Sequence, residues 1–252
     1  MTLTGGEDSP FWWRDTVGED VHVAFTCTRA GNLAPHVGRE DSGLVSRRRR
    51  DLEARMGVAP RSLRFLDQVH SSTVLDAEAH HASDGAFAQA RGDAWVSPSA
   101  AEPLAVMVAD CLPVLLLGES ESSSGAVTAA AHAGREGLLG GVLENTVTVM
   151  REHGAGRVTA WIGPAACGCC YEVPSSMREQ LSMDRPALAS ETRWGTAALD
   201  LRAEADDVLG SLGVRVAQLA GCTIEDESLF SHRRAPGEGR FAGLIWRTPA
   251  RV

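Results

Sequence analysis

The stretch LAVMVADCLPVLLL, residues 104–117, holds two runs of aliphatic side chains on either side of a polar break. Short apolar runs that are bounded by turn signals are typical of strands buried on both faces. Pro113 has no amide hydrogen to donate, so we expect an interruption or an edge position there. The stretch therefore predicts two β-strands, with the carboxylate of Asp110 and the thiol of Cys111 at the mouth of the second. These two side chains are either ordinary strand-end residues or a reactive pair held in a fixed position.

Strands and helices alternate along the rest of the chain, but several consecutive strands have no helix between them. This order favours a layered α/β (α+β) fold with mixed, largely antiparallel sheets covered by helices over a doubly wound parallel sheet. We expect one domain over residues 21–252, preceded by an N-terminal extension, residues 1–20. Further strands are predicted at 21–27, within 63–77, at 126–134 and from 157, 197, 216 and near 240; helices are predicted at 42–57, 138–154, about 174–183 and after the strand at 197.

Length, charge and cysteine use exclude several classes of protein. The 252 residues suffice for one large domain or two small ones, and the formal net charge of −9 argues against a nucleic-acid surface. The basic run at 47–50 is predicted to be a solvated helix face. We find no apolar stretch of about 18 residues for a membrane span, no secretory signal and no nucleotide-binding glycine fingerprint. Six scattered cysteines do not form a disulfide scaffold, so we expect a cytoplasmic protein with mostly reduced thiols.

Two histidines stand in positions like that of Cys111. His70 ends the segment FLDQVH and His132 ends VTAAAH, so each of the three follows an apolar run and is expected at a strand end. Two imidazoles and one thiolate suit Zn²⁺, and three protein ligands leave the fourth position open, as in catalytic zinc sites. The spacing leaves two other interpretations open: each histidine could be a hydrogen-bonded structural residue, and the cysteine a small buried hydrophobe.

Seven motifs follow one another along the chain. They are TRAGNLAPHVG (28–38), DQVHSSTV (67–74), GDAWVS (92–97), LAVMVADCLPVLLL (104–117), AAAHAGREGLLGGVLENTVTVM (129–150), IGPAACGCCYEV (162–173) and LFSHRRAPGEGRFAGLIW (229–246). In this order they resemble the YfiH-type laccase-domain family, and the likeness extends from about residue 21 to residue 247. In that family the QVH, ADC and AHAG motifs match His70, Cys111 and His132, and the resemblance implies that these residues bind one zinc ion, with copper as an alternative.

The resemblance implies more than one activity. The family is described as copper-dependent and phenol-oxidising, and also as acting on purine nucleosides, by phosphorolysis of adenosine, inosine, guanosine and methylthioadenosine and by adenosine deamination. Some bacterial members are linked to correction of cell-wall precursors. A laccase needs a further three-copper cluster with many histidines, whereas this chain has eight histidines and no HxH pair. We therefore predict a monomeric, zinc-dependent purine nucleoside enzyme that acts by phosphorolysis, by adenosine deamination or by both, with a purine nucleoside and phosphate as its small-molecule partners. A copper-dependent polyphenol oxidase and an envelope-related binding protein with a vestigial site are the alternatives.

Further site residues are predicted around the metal. Asp110 is a candidate for proton transfer, although strand alternation would point it away from Cys111. Arg29, in the segment CTRAG (27–31) that resembles the family's T-x-R-x-G motif, could meet a phosphate or ribose group, and Gln68 shares a strand face with His70. These three are our catalytic candidates. Asn32 and Arg233 are predicted to bind substrate, and Arg234 is a weaker candidate of the same kind.

The chain departs from the family pattern at a few positions. The family commonly has HAGWRG where this chain has HAGREG, so Arg135 replaces an aromatic residue and Glu136 a basic one. If that basic residue helps to hold an anion, phosphate binding is affected here. Asn32 replaces a glycine, and His232 stands where tyrosine is common.

The CGCC segment at 167–170 contains a single CxxC pair, Cys167 and Cys170. A structural zinc site needs a second pair of ligands, and the sequence offers none nearby. We interpret the segment as a loop of small residues packed near the site.

Overall fold

In the computed structural model, which describes residues 3–4, 9–18, 20–38, 41–80, 90–120 and 125–248, two β-sheets pack together and carry helices on their outer faces. The strands are β1 Leu3–Thr4, β2 Phe11–Val17, β3 Val21–Thr26, β4 Val74–Asp76, β5 Ala94–Ser97, β6 Leu104–Val108, β7 Leu112–Ser120, β8 Ala126–Ala133, β9 Ala155–Ile162, β10 Ala189–Glu191, β11 Ala197–Leu199, β12 Arg215–Gln218 and β13 Phe241–Arg247. The α-helices are α1 Ser42–Met56, α2 Arg135–Leu139, α3 Val142–Glu152, α4 Ser175–Asp184 and α5 Leu201–Ser211; short 3-10 helices span Thr28–Ala30 and Pro186–Leu188.

Both large sheets are mainly antiparallel. One has five strands in the order β1-β2-β3-β13-β6 and is antiparallel throughout. The other has six strands in the order β12-β9-β7-β8-β5-β4, with parallel pairs only at its two edges, β12 with β9 and β4 with β5. Strands β10 and β11 form a separate antiparallel pair. The predicted α/β fold with mixed, largely antiparallel sheets covered by helices is confirmed.

The apolar run of β7 is explained by its position at the centre of the six-stranded sheet. Val114 and Leu116 face the core that α3 and α5 cover, whereas Leu115 and Leu117 face the core between the two sheets. Because both faces of the strand are buried, apolar side chains are needed at successive positions and not only at alternate ones.

The five-stranded sheet is also covered on its outer face. From β6, Leu104 and Val106 enter the core between the sheets, and Ala105 and Met107 face α1. The layers therefore run in the order α1, five-stranded sheet, six-stranded sheet, and then α3 and α5. Such layering gives each sheet two buried faces, and it leaves the turns at the strand ends as the places where polar side chains can gather.

The basic run of α1 is only partly solvated. The guanidinium of Arg49 lies over the Phe65 ring, 3.7 Å from its centroid, and donates two hydrogen bonds to the Leu33 carbonyl. Burial lowers the pKa of Arg49 to about 10. The prediction of a solvated face is therefore wrong for this side chain, which ties α1 to the loop after β3.

Two further segments differ from expectation. Phe11–Val17, inside the predicted extension 1–20, form β2 and pair with β3, whereas the domain limits at residues 21 and 252 stay a prediction. Of the region 63–77, only Val74–Asp76 form a strand, and Arg64 and Asp67 make isolated bridges. No helix in the described ranges is long and apolar enough to cross a membrane.

Candidate metal centre

Three segments of the fold meet at Cys111. This residue lies in the turn between β6 and β7, two positions before Pro113, and Pro113 pairs with His132 in the β7–β8 register, which places His132 diagonally across from Cys111. His70 lies in an irregular segment before β4, with a φ of 61°. Cys111 and His132 therefore lie at strand ends as predicted, since His132 is the penultimate residue of β8, whereas His70 is not in a strand.

The structure nevertheless brings the three predicted ligands together. One ligand atom from each of His70, Cys111 and His132 lies within 4.8 Å of the others. The distance from His70 Nε2 to Cys111 Sγ is 3.7 Å, close to the separation of about 3.6 Å that tetrahedral zinc imposes on a nitrogen and a sulfur ligand. His132 is buried, Cys111 is half-buried and His70 is exposed, so the open side of the group faces solvent. Two imidazoles and a thiolate suit zinc or copper, and the donor set fits a bound cation of that kind.

Asp93 organises this centre, and our sequence analysis did not select it. Its side chain is fully buried, and Oδ1 lies 2.8 Å from Nδ1 of His132. The same carboxylate accepts the backbone amides of His70 and Ser71 and the Ser71 hydroxyl. Because Nδ1 of His132 is directed at Asp93, Nε2 is left to act as the ligand atom. The sequence signal is an aspartate directly before the short strand β5, but its partners lie far away along the chain.

The charges and hydrogen bonds around Cys111 favour its thiolate form. Burial by itself raises the pKa of Cys111, but the positive charge and hydrogen bond of His132 outweigh it, and the pKa falls to about 6. Burial by itself lowers the pKa of His132, but the charge of Cys111 and the bond to Asp93 raise it to about 9. Hydrogen bonds from His132 and Ser71 outweigh burial at Asp93 and lower its pKa to about 2. At neutral pH, Cys111 is therefore a thiolate, the form that binds metals.

Gly134, which follows β8, has no side chain that would fill the space between the three candidate ligands. A Cβ at this position would lie 2.6 Å from Cδ2 of His70 and 3.1 Å from Sγ of Cys111. The backbone at Gly134 has φ −69° and ψ 165°, which any residue adopts. The lack of a side chain, and not a special backbone conformation, is therefore what the site needs here.

Asp110 lies beside the three ligands in a constrained turn. Its φ of 90° is unusual for a residue with a side chain, and such conformations cluster at functional sites. The Thr223 hydroxyl donates to Oδ1 at 2.6 Å, and the backbone amide of Arg233 donates to Oδ2 at 2.7 Å. Strand alternation does not direct this side chain away from Cys111, because Asp110 lies between β6 and β7 and not within a strand. The structure thus brings together Asp110, Cys111 and Arg233, whose guanidinium lies over Tyr171 at 4.6 Å from the ring centroid.

Gln68 and Asn32 are held by backbone groups. Gln68 donates to the carbonyl of Met107 and accepts its amide, which ties the segment before His70 to the end of β6. Asn32 is buried, and its amide nitrogen donates to the carbonyls of Ala34 and Val37. The oxygen of Asn32 accepts two backbone amides, so a substrate contact would require one of these bonds to break. The geometry gives both side chains positioning roles, and their contacts with substrate stay predictions.

Arg29 and Arg234 are bonded to carbonyls outside the ligand group. Arg29 donates to the Ser9 carbonyl, and Arg234 donates to several carbonyls of the loop that contains Asp226. By contrast Arg240, which sequence analysis missed, lies where the charges of Cys111 and Asp110 act on it. Burial lowers the pKa of the Arg240 guanidinium, and those two charges oppose the shift.

The substituted pair in the HAGREG motif lies at the start of α2. Arg135 is directed at the sulfur of Met177, at 3.1 Å, and forms an ion pair with Glu136 at 3.5 Å. His232 is exposed. These contacts show Arg135 engaged with its neighbours and not directed at the three ligands.

Comparison with known proteins identifies the family. The family model described as multi-copper polyphenol oxidoreductase laccase matches residues 22–248. The chain belongs to this laccase-domain family. A family member from Streptomyces coelicolor, named purine nucleoside phosphorylase, is 41% identical over 245 residues, which cover 92% of this chain and 98% of that protein. Escherichia coli YfiH, also named purine nucleoside phosphorylase, is 36% identical over 221 residues, 85% of each chain.

A solved structure supports the same assignment of the fold. The protein of Neisseria meningitidis with this fold aligns with a TM-score of 0.80 and 31% identity, over 96% of this chain and all of the other. The resemblance to the YfiH-type laccase-domain family is therefore confirmed, and the matched residues 22–248 include His70, Cys111 and His132.

Proposed function

We propose that this laccase-domain protein is a zinc-dependent purine nucleoside phosphorylase. The observation that carries the proposal is the group of His70, Cys111 and His132, which fits one cation, is open on its exposed side and has a constrained carboxylate beside it. Two relatives from the same family, covered over most of their length, are named purine nucleoside phosphorylases. We take zinc in preference to copper because a soft thiolate and two imidazoles, with a fourth position open, suit catalytic zinc.

The chain's own residues supply what phosphorolysis requires beside the metal. When bound, zinc would supply Lewis-acid polarisation at the open position. Asp110 is fixed by donors to both carboxylate oxygens, so it can hold a nucleoside hydroxyl or accept its proton in one orientation. Arg240, on which the charge of Asp110 acts, is the first candidate to bind phosphate, and Arg233 could do so after its guanidinium leaves the Glu172 carbonyl and the Tyr171 ring. Gln68 holds the His70 segment in place, and Arg29 stays a candidate for the phosphate or ribose.

Adenosine deamination is the second candidate activity. Three protein ligands with an open position, next to a carboxylate that can move a proton, also suit metal-assisted removal of an amino group from a purine ring. Phosphorolysis and deamination of adenosine give different products, adenine plus ribose 1-phosphate in one case and inosine in the other.

Copper-dependent phenol oxidation is less well supported by the side chains. Across the described parts of the chain, two groups hold three or more metal-ligand side chains, and neither contains more than two histidines. His22 and His80 lie against Trp246 and Trp95, away from the ligand group. A three-copper cluster needs many more histidines at one place.

The proposal is tested by incubating zinc-loaded protein with adenosine in the presence and absence of phosphate. We expect release of adenine only with phosphate, loss of that activity in His132→Ala, and full activity in His153→Ala, an exposed histidine after α3. Inosine formation that does not depend on phosphate would favour deamination. Equal activity in His132→Ala and wild type would overturn the proposal, and no product from any nucleoside would favour a binding protein with a vestigial site.

A further inference from the structure

A second group of metal-ligand side chains lies apart from the residues described above. Cys167, Cys170, Cys222 and Glu225 each offer one ligand atom, and these atoms all lie within 4.8 Å of one another. Three sulfurs and one carboxylate oxygen at one place form a soft, negatively charged set of donors, which suits zinc and similar divalent ions.

The four side chains stand on two matching turns. The amide of Cys170 donates to the carbonyl of Cys167 at 2.9 Å, and the amide of Glu225 donates to the carbonyl of Cys222 at 3.1 Å. Each turn therefore presents two ligands with two residues between them, C-x₂-C in the first and C-x₂-E in the second. This is the spacing of ligand pairs in structural zinc sites. The sequence offers no second ligand pair near the CxxC pair, and the fold supplies one from Cys222 and Glu225.

The sheet fixes the position of one turn against the other. Strands β9 and β12 run parallel, and Ile162 pairs with Gln218 where both strands end. The pairing continues past the strands as an isolated bridge, because the amide of Ala165 donates to the carbonyl of Gly221 and the amide of Thr223 donates to the carbonyl of Ala165. The turns that follow are thus placed side by side by backbone bonds alone.

The surroundings already carry a compensating cation. The guanidinium of Arg193 lies 3.2 Å from Sγ of Cys170 and forms an ion pair with Glu225. Arg193 therefore contacts two of the four donors and offsets negative charge at Cys170 and Glu225. Arg193 would also offset part of the charge that three thiolates and a carboxylate keep after binding one divalent ion.

We propose that Cys167, Cys170, Cys222 and Glu225 bind a second divalent metal ion of the zinc class, in a closed four-ligand site. Tetrahedral zinc with sulfur bonds of about 2.3 Å separates its sulfurs by about 3.8 Å, so the ligand atoms need to approach by no more than about 1 Å. Binding releases the thiol protons and leaves no position for substrate, which makes the site structural.

The role of the second ion follows from what the two turns touch. Thr223, next to Cys222, donates to the carboxylate of Asp110, and the amide of Ala166, next to Cys167, donates to the Asp110 carbonyl. The ion would therefore fix the two turns that hold Asp110 in its strained conformation. Through the contacts with Asp110, the second site stabilises the site of His70, Cys111 and His132 and does not contact the substrate.

The test is the metal content of protein purified under a thiol reductant and equilibrated with zinc. We expect two zinc ions per chain in wild type, one in Cys222→Ser, one in His132→Ala and two in Cys169→Ser. Cys169 is the matched control because it lies in the same turn, with its sulfur 3.1 Å from that of Cys167, but outside the group of four. Two ions in Cys222→Ser, or a single ion in wild type that His132→Ala removes, would overturn the proposal. Activity of a one-zinc wild type would leave the proposed function standing, so the two failures are distinguishable.

A second measurement needs no variant and covers the case in which Cys222→Ser does not fold. Wild-type protein is alkylated with iodoacetamide, with and without zinc, and the modified cysteines are located by mass spectrometry. We expect zinc to protect Cys167, Cys170 and Cys222, a chelator to restore their reactivity, and Cys169 to react in both conditions. Equal labelling with and without zinc would refute the site, as would a disulfide between two of the three cysteines in the zinc-treated protein.

Discussion

Gly134→Ala is the substitution that tests most sharply how the fold makes room for the metal centre. The added Cβ would lie 2.6 Å from Cδ2 of His70, whereas carbon atoms in contact settle at about 3.5–4.0 Å. The imidazole of His70 must therefore move by about 1 Å. Functional geometry tolerates displacements of about 0.5 Å, so we expect zinc affinity to fall by at least about 10- to 100-fold. Because φ is −69°, the backbone accepts alanine, and the cost to the free energy of unfolding is that of overpacking, about 1–3 kcal/mol.

Zinc affinity of the Gly134→Ala variant is measured by competition with a chromophoric chelator, and phosphorolysis of adenosine is measured at saturating zinc. Gly210→Ala is the matched control, because a Cβ there meets nothing within 4 Å and alanine favours the helix. We expect the control to keep wild-type zinc affinity and activity. If Gly134→Ala binds zinc within threefold of wild type, the argument that Gly134 makes room for the ligands is wrong.

Further predictions concern the groups around the ligands and one remote contact. Asp93→Asn weakens the bond that orients His132, so zinc affinity should drop about 10- to 100-fold; unchanged affinity would contradict this role. Asp110→Asn should lower kcat by about 100- to 10,000-fold while zinc content at the centre stays constant, and a variant with wild-type kcat would remove Asp110 from the chemistry. Protons compete for Cys111, with its pKa of about 6, and for His132, with its pKa of about 9, so zinc affinity should rise with pH between these values; an affinity that is constant from pH 5 to pH 9 would disagree with the assigned ligands. Arg49→Ala should lower the free energy of unfolding by about 1–3 kcal/mol, measured by urea denaturation, without changing zinc affinity. An unchanged urea midpoint would show that the contacts of Arg49 with Leu33 and Phe65 contribute little to stability.

The fold could be predicted from sequence where apolar runs were long. The continuous run of β7 marks a strand buried on both faces, and consecutive strands without helices point to mainly antiparallel sheets. The sequence does not show the strand order of the five-stranded sheet, because β13 pairs with both β3 and β6, which lie far from it in the chain. The Phe11–Val17 strand was missed although its partner β3 follows it directly, because the segment alone has no strict alternation.

The three ligand candidates were found because each stands next to an apolar run, and this signal predicted a strand end correctly for Cys111 and His132 but not for His70. His70 reaches the site through backbone bonds to Asp93 and not through strand geometry. Asp93, Gly134 and Arg240 went unselected because their importance depends on contacts across the fold, which spacing along the chain does not encode. Cys222 and Glu225 were not predicted as partners of the CxxC turn for the same reason, because they lie far from it along the chain.

The most direct test of the central claim is anomalous diffraction at the zinc edge from crystals of the zinc-saturated protein. We predict a peak about 2.0–2.1 Å from Nε2 of both His70 and His132 and about 2.3 Å from Sγ of Cys111, with one coordination position open to solvent. A crystal in which zinc is absent from these three side chains, or is bonded to only one of them, would contradict the account.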